Sequence, residues 1–156
     1  MTMSGTVDIR PAAPSERGSA RALLRAAGLP LAGLNDVAVL LVAVRGCEVV
    51  GCAALERHGD GPGVAYLLRS VAVREDLRGS GAGGALTGRA LAEVDAAGAS
   101  VALLTETADA YFPRFGFRPV RRDELPSELS GSAELQGACA VSARALLRPA
   151  GVPAAR

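Results

Sequence analysis

The sequence predicts a single α/β domain built on a mixed β-sheet. Three observations lead there. Two β-rich runs, Val37–Val44 and Glu48–Leu55, meet at Arg45-Gly46-Cys47, a hairpin signal. A third long run, Ala65–Val73, is followed by a helical stretch and then by a compact apolar strand, Val101–Thr105. Such a strand-helix-strand unit places its two strands parallel, so antiparallel and parallel pairs share one sheet. With 156 residues the chain has room for one domain with a substantial core, and it contains no internal repeat or interdomain linker.

Taken in order, Thr6–Arg10 reads as a short first strand closed by Pro11. From Ser15, the positions Ala20, Leu23, Leu24 and Ala27 follow the i, i+3, i+4, i+7 spacing of a helix with one buried face. Gly28 and Pro30 stop it, and Leu31–Asp36 is a loop or helical turn. After the hairpin, His58-Gly-Asp-Gly-Pro-Gly63 is a turn cluster ahead of Ala65–Val73. A charged link, Arg74–Arg78, leads into Gly79-Ser-Gly-Ala-Gly-Gly84 and a helix reaching about Ala97, with Leu86, Ala90, Leu91 and Val94 on its buried stripe. Beyond Val101–Thr105, a short helix is expected over Ala108–Arg114. A strand follows Phe115-Gly-Phe, a helical turn covers Asp123–Leu129, and a closing strand runs from Cys139 to Leu147. The domain is expected to span residues 1–148, with 149–156 a flexible tail.

Composition removes several classes of function. Seventeen basic residues against sixteen acidic ones leave a net charge of +1, which gives no electrostatic case for nucleic acid or a membrane surface as partner. The longest apolar run, Val37–Val44, is far short of the ~20 residues that span a bilayer. The opening MTMSGTVDIRP lacks the apolar core of a secretory signal, so a cytoplasmic location is expected. Every basic residue is arginine, which rules out a GxxxxGK[ST] phosphate loop and Schiff-base chemistry. One histidine, His58, cannot build a multi-histidine zinc site, and no metal is expected. Cys47, Cys52 and Cys139 form no CxxC pair and read as small buried hydrophobes.

Chemistry concentrates at Arg78-Gly-Ser-Gly-Ala-Gly-Gly84. Bare glycines let backbone N–H groups converge where a helix begins, and that end carries unpaired donors and positive dipole. Gly79, Gly81 and Gly84 satisfy GxGxxG, with Glu106 where a ribose-binding acid would sit, so a dinucleotide or S-adenosylmethionine site is one reading. Against it, five residues separate Val73 from the first glycine, and too little chain follows Glu106 for a doubly wound sheet.

The second reading rests on Arg78-Gly79-Ser80-Gly81-Ala82-Gly83 after a strand ending Val71-Ala72-Val73, which resembles the acetyl-CoA loop of the GNAT N-acetyltransferases. Ala108, Phe112 and Phe115-Gly116-Phe117 resemble that family's A-x-x-x-Y-x-x-x-G-F segment. Gly51-Cys-Ala-Ala-Leu55, Leu103-Leu-Thr105 and Asp123-Glu-Leu-Pro126 resemble the acetyltransferase domain of N-acetylglutamate synthases. Leu55-Glu56, Leu67–Val73 and Cys139-Ala-Val-Ser-Ala143 resemble the small arsenic-resistance N-acetyltransferases.

The resemblance implies a GNAT fold. A central mixed sheet of six to seven strands would splay between Ala65–Val73 and Val101–Thr105, flanked by about four helices. It implies acetyl transfer from acetyl-CoA to the primary amine of a small, amino-acid-like molecule by direct attack in a ternary complex, with detoxification of an arsenical or phosphinic amino acid as the purpose. A homodimer is the default assembly. Gly79, Ser80, Gly81, Ala82 and Gly83 would hold the pyrophosphate through their N–H groups, with Arg78 adding charge. Val71, Ala72 and Val73 would pair with the pantetheine arm, and the Val71 or Ala72 N–H would donate to the thioester oxygen. The strand glutamate of many GNAT enzymes falls at Leu67, which makes Glu56 the expected base and Glu106 the second candidate, and the usual tyrosine falls at Phe112, which leaves Tyr111 or water to protonate the thiolate. Arg69, a charge inside an apolar strand, is expected either to bind the acceptor's carboxylate or to pair with Glu56, and Thr105 and Glu106 to contact the amine. The missing glutamate and tyrosine keep a non-catalytic acyl-CoA-binding module open as a further alternative.

Overall fold

In the computed structural model, which describes residues 7–139 and 141–151, seven strands form one sheet. They are β1 (Asp8–Pro11), β2 (Val39–Arg45), β3 (Glu48–His58), β4 (Ala65–Val73), β5 (Ser100–Thr105), β6 (Arg118–Val120) and β7 (Arg144–Arg148), ordered β1-β2-β3-β4-β5-β7-β6. All neighbours are antiparallel except β4 and β5, joined by the crossover helix α2 (Ala82–Ala96). The predicted mixed sheet is thus present.

Strand alternation divides the apolar residues between two faces. Leu41, Ala43, Val50, Ala53 and Leu55 meet the α2 stripe of Leu86, Ala90, Leu91 and Val94. Leu40, Val42, Val44, Cys52 and Ala54 meet Ala20 and Leu24 of α1 (Arg17–Ala26) on the other face. Each fully buried leucine in these layers contributes about 1.5–3 kcal/mol of transfer free energy. A smaller cluster of Ala65, Leu67, Ala102 and Leu129 lies under the 3-10 turn Ser127–Gly131. No helix among the described residues is long and apolar enough to cross a membrane.

Several expectations are corrected. Two α-helices flank the sheet among the described residues instead of about four, and the remaining connections are short 3-10 or π turns. The helix expected over Ala108–Arg114 reduces to a turn and the 3-10 segment Phe112–Phe115, because Pro113 lacks an N–H and disfavours α geometry at the residue before it. The closing strand starts at Arg144, not Cys139. Arg144 lies opposite Thr105, the last residue of β5, so the chain before it has no strand to pair with. Its Ala140, like Thr6 of the first strand and residues 152–156 of the expected tail, lies outside the described residues. β3 continues through His58, which puts Glu56 inside a strand opposite Leu67. Of the cysteines, Cys52 is buried as expected, Cys139 is half-buried and Cys47 is exposed in the hairpin turn.

Candidate active site

β4 and β5 pair only from Ala65↔Ser100 to Leu67↔Ala102 and then part. Just past that point β4 carries an extra residue relative to β3: Cys52 faces Ala72 while Ala54 faces Arg69. Ser70 in this bulge has φ 60, a left-handed conformation uncommon for a residue with a side chain. The parted strands open onto a cavity of about 720 Å³, walled by β4, β5 and the turns after α1 and after β5. The expected splay is therefore present at the expected strands.

Beyond the bulge the Arg74 N–H donates to the Val50 carbonyl at 2.7 Å, and the Val73 carbonyl accepts from Arg78 Nε at 3.3 Å. Backbone groups alternate sides along a strand, so Val71 and Val73 turn theirs toward the cleft while Ala72 turns its own toward β3. Ala72 lies opposite Cys52 of β3, with Val71 and Val73 on either side of it along β4.

A second cavity of about 440 Å³ runs over the glycine loop, and Arg78 and Tyr111 belong to the walls of both. Gly79 and Gly81 adopt φ 86 and 95, and a Cβ at either would project into open space. The N–H groups of the first turn of α2 have no carbonyl within the helix to receive them. This is a seat for a pyrophosphate, with Arg78 beside it, and the residues present suit coenzyme A. Ser80 is a correction: its N–H donates to the Leu77 carbonyl at 3.1 Å and so closes the turn instead of facing the cleft. Gly84, Arg114 and Phe115, to which the resemblance to the acetyl-CoA loop gave no cofactor contact, also line this cavity.

Tyr111 and Phe112 divide as neighbouring positions on a turn do. Phe112 is buried in the core, edge-on to Phe117 at 5.8 Å between centroids. Tyr111 faces the cleft. A Cβ at Gly84 would lie 3.4 Å from its Oη, an ordinary contact distance, so the phenol sits against the first turn of α2. Arg114 stacks 4.5 Å over the Tyr111 ring and donates from Nε to the Tyr111 carbonyl at 2.9 Å. Both residues line the larger cavity, and of the two only Tyr111 also lines the cavity over the glycine loop.

The inner end of the larger cavity is charged. The Arg69 side chain is fully buried. Its Nε donates to Ser70 Oγ at 3.0 Å, Nη1 to the Ala32 carbonyl and to Glu56 Oε2, and Nη2 to the Pro30 carbonyl. Four of the five guanidinium N–H groups are engaged in this way. Glu56 also meets His58 Nε2 at 2.8 Å. Burial works to raise the Glu56 carboxyl, but hydrogen bonds from Arg69, His58 and Ser132 outweigh it and hold the group below the ordinary carboxylate range. Glu56 lies behind Arg69 and contributes to neither cavity wall, a correction to its expected role as the base.

At this inner end the carboxylate on the wall belongs to Glu134, at the start of the π turn Glu134–Ala138. Its Oε2 lies 3.4 Å from Arg69 Nε. Burial pushes the Glu134 carboxyl above the ordinary range, against the pull of Arg69 and of a hydrogen bond from Cys139, and the nearby Glu56 charge adds to the rise. The Cys139 thiol, also on the wall, is pushed up to about 12 by burial and by Glu134. Glu134 stands in Ser130-Gly-Ser-Ala-Glu-Leu-Gln-Gly, where no motif or periodicity marks it. Thr105 and Glu106 do line the cavity, at its outer end; Thr105 Oγ1 accepts the Ala108 N–H at 2.9 Å, and Ser142 Oγ donates to Glu106 Oε1 at 3.4 Å. No cluster of three potential metal ligands occurs among the described residues.

A dinucleotide site does not suit this arrangement, because a sheet with one parallel pair is not doubly wound and the loop is separated from β4 by the 3-10 turn Glu75–Leu77. The chain matches the family model described as acetyltransferase (GNAT) domain over residues 36–119. No curated protein sequence matches it. Among solved structures it is similar to N-acetylglutamate synthase from Neisseria gonorrhoeae complexed with coenzyme A and N-acetyl-glutamate, with a TM-score of 0.76 and 20% identity. That alignment covers 96% of this chain and 36% of the synthase, so the chain spans about a third of that protein's length. It is also similar to Rv2747 from Mycobacterium tuberculosis (TM-score 0.71, 21% identity, 91% of this chain and 98% of that one). YhbS from Escherichia coli in complex with CoA gives a TM-score of 0.67 at 19% identity, covering 96% of this chain and 84% of that one. The match spans more than half of the sequence and contains both the parted strands and the glycine loop, and the chain accordingly belongs to the GNAT family of acetyltransferases.

Proposed function

We propose that this enzyme acetylates the primary amine of a small, amino-acid-like molecule. The observation that carries the reading is a pair of cavities that share Arg78 and Tyr111 in their walls: one lies over the glycine loop, the other between the parted strands with a charged inner end. Bound acetyl-CoA supplies the thioester carbon that the amine attacks. The N–H groups of Gly79, Gly81, Ala82 and Gly83 hold its pyrophosphate, and Arg78 adds a guanidinium. Val71 and Val73 offer backbone groups to the pantetheine arm as a neighbouring strand would, and the Val71 N–H donates where negative charge develops on the carbonyl oxygen. Tyr111 Oη, at the junction of the cavities, carries a proton for the departing sulfur. Thr105 and Glu106 position the acceptor. Alignment of amine and thioester in one ternary complex is worth up to ~7–11 kcal/mol of barrier.

The N-acetyl-glutamate held by the synthase of similar fold supports an amino-acid-like acceptor, and the resemblance to arsenic-resistance enzymes favours an arsenical or phosphinic analogue. Arg69 lies on the wall that such an acceptor meets, with Glu56 and Glu134 already beside it. The test is mass spectrometry of the products formed from acetyl-CoA and a mixed pool of glutamate, phosphinothricin, arsenical analogues and simple alkylamines. Acetylated amines bearing an acid group are expected. Acetylation confined to alkylamines would overturn the amino-acid-like assignment while leaving amine acetylation standing.

A further inference from the structure

Arg69, the strand arginine on the wall of the acceptor cavity, is opposed by two buried carboxylates. Glu56 is the closer partner, at 2.8 Å, and is closed off from the cavity. Glu134 makes the looser contact, at 3.4 Å, and faces the cavity with 3% of its surface exposed. One guanidinium balances one carboxylate. With both ionised and His58, which meets Glu56 at 2.8 Å, in its neutral form, the inner end of the cavity carries an uncompensated negative charge, and what it lacks is a cation or a proton.

We propose that Glu134 receives the acceptor's ammonium and takes its proton, so that it is the base of the acetyl transfer. This rests on the reading of the enzyme as an amine acetyltransferase. The ammonium approaches along the cavity and gives one proton to the Glu134 carboxylate. The nitrogen lone pair then forms the bond to the acetyl carbon, and the carbon–sulfur bond breaks with its electrons on sulfur. The second nitrogen proton replaces the one that Tyr111 gives to sulfur, and Glu134 returns its proton to solvent. A carboxyl held above its ordinary range by burial is better matched to this exchange than one held below it, which separates Glu134 from Glu56. The groups facing Glu134 are Arg69 from β4, Glu56 from β3, the Cys139 thiol of its own turn and Ser132 Oγ, which accepts the Glu134 N–H at 3.2 Å. His58 reaches it only through Glu56. None of these is a second carboxylate on the cavity wall; Glu106, which also lines it, lies beyond Thr105 and accepts from Ser142 Oγ at 3.4 Å.

The test compares wild type with Glu134→Gln in steady-state kinetics across pH, using the pool above, and in titration of CoA-saturated protein with butylammonium followed by melting temperature. The expected result is a loss of about 10²-fold or more in kcat/KM. The acidic limb of the wild-type profile should disappear, the butylammonium shift should vanish and CoA affinity should be unchanged. A kcat/KM within threefold of wild type, with the same acidic limb, would overturn the assignment. Should wild type transfer to no amine, the functional reading itself fails. The butylammonium titration then decides the site: a shift seen in wild type and absent from Glu134→Gln supports it, and an equal or absent shift in both overturns it. If glutamine at this position prevents folding, Glu134→Asp keeps the charge one methylene further back. About tenfold slower transfer with the acidic limb intact is expected there, and wild-type kinetics would contradict it.

Discussion

Arg69 sits where three elements converge, and its side chain does structural work whichever acceptor the enzyme uses. It joins β4 to Glu56 of β3, to the Pro30 and Ala32 carbonyls after α1 and to Glu134 of the π turn. Removing it leaves two carboxylates buried without a counter-charge, so Arg69→Ala should lose about 3–5 kcal/mol of stability. Urea unfolding checks this, and a change below about 1 kcal/mol would show that the network tolerates the loss. The sequence marked Arg69 because a charge interrupts an apolar run, and it offered Glu56 as one of two partners. It could not mark Glu134. That residue is an ordinary exposed-looking acid until the fold brings its turn against β4, a meeting that no spacing along the chain encodes.

The element that decides cofactor binding is the first turn of α2 with the loop before it. Gly81 caps the helix in a left-handed conformation, with open space where a side chain would go. Gly81→Glu puts a carboxylate into the pyrophosphate seat, and at least a hundredfold loss of CoA affinity is expected. Isothermal titration measures it, and an unchanged affinity in a folded protein would sink the loop assignment. This element was legible because glycines, an apolar stripe and a terminating Gly98 all agree with one another. β4 was legible for the same reason, and its bounds coincide with those expected. The segment 108–148 was less so. Pro113 overrode the apolar spacing after Ala108, and the start of β7 was set by where β5 ends, which is a property of the partner strand and not of Cys139–Ala143.

Across the whole molecule the two carboxylates couple protonation to folding with opposite signs. The folded Glu56 carboxyl lies below its unfolded value, so its contribution is present above the ordinary carboxylate range and lost as pH falls through the folded value. Glu134 lies above its unfolded value. Its contribution is present below the ordinary range and lost as pH rises through the folded value, which leaves an ionised Glu134 as a burden at neutral pH. Glu134→Gln should therefore be more stable than wild type at neutral pH, by about 1 kcal/mol, as is usual where a site trades stability for activity. The difference should close near pH ~4, where carboxylates are commonly protonated. Thermal melts across pH read it, and a variant less stable at neutral pH would contradict the sign.

The central claim is acetyl transfer to an amine across the two adjoining cavities, and thiol release from acetyl-CoA tests it most directly. Wild type and Gly81→Glu are followed with and without each amine of the pool. The account predicts release that depends on an acid-bearing amine in wild type and is lost in the variant. Release that ignores the amine, or that survives unchanged in Gly81→Glu, would contradict it.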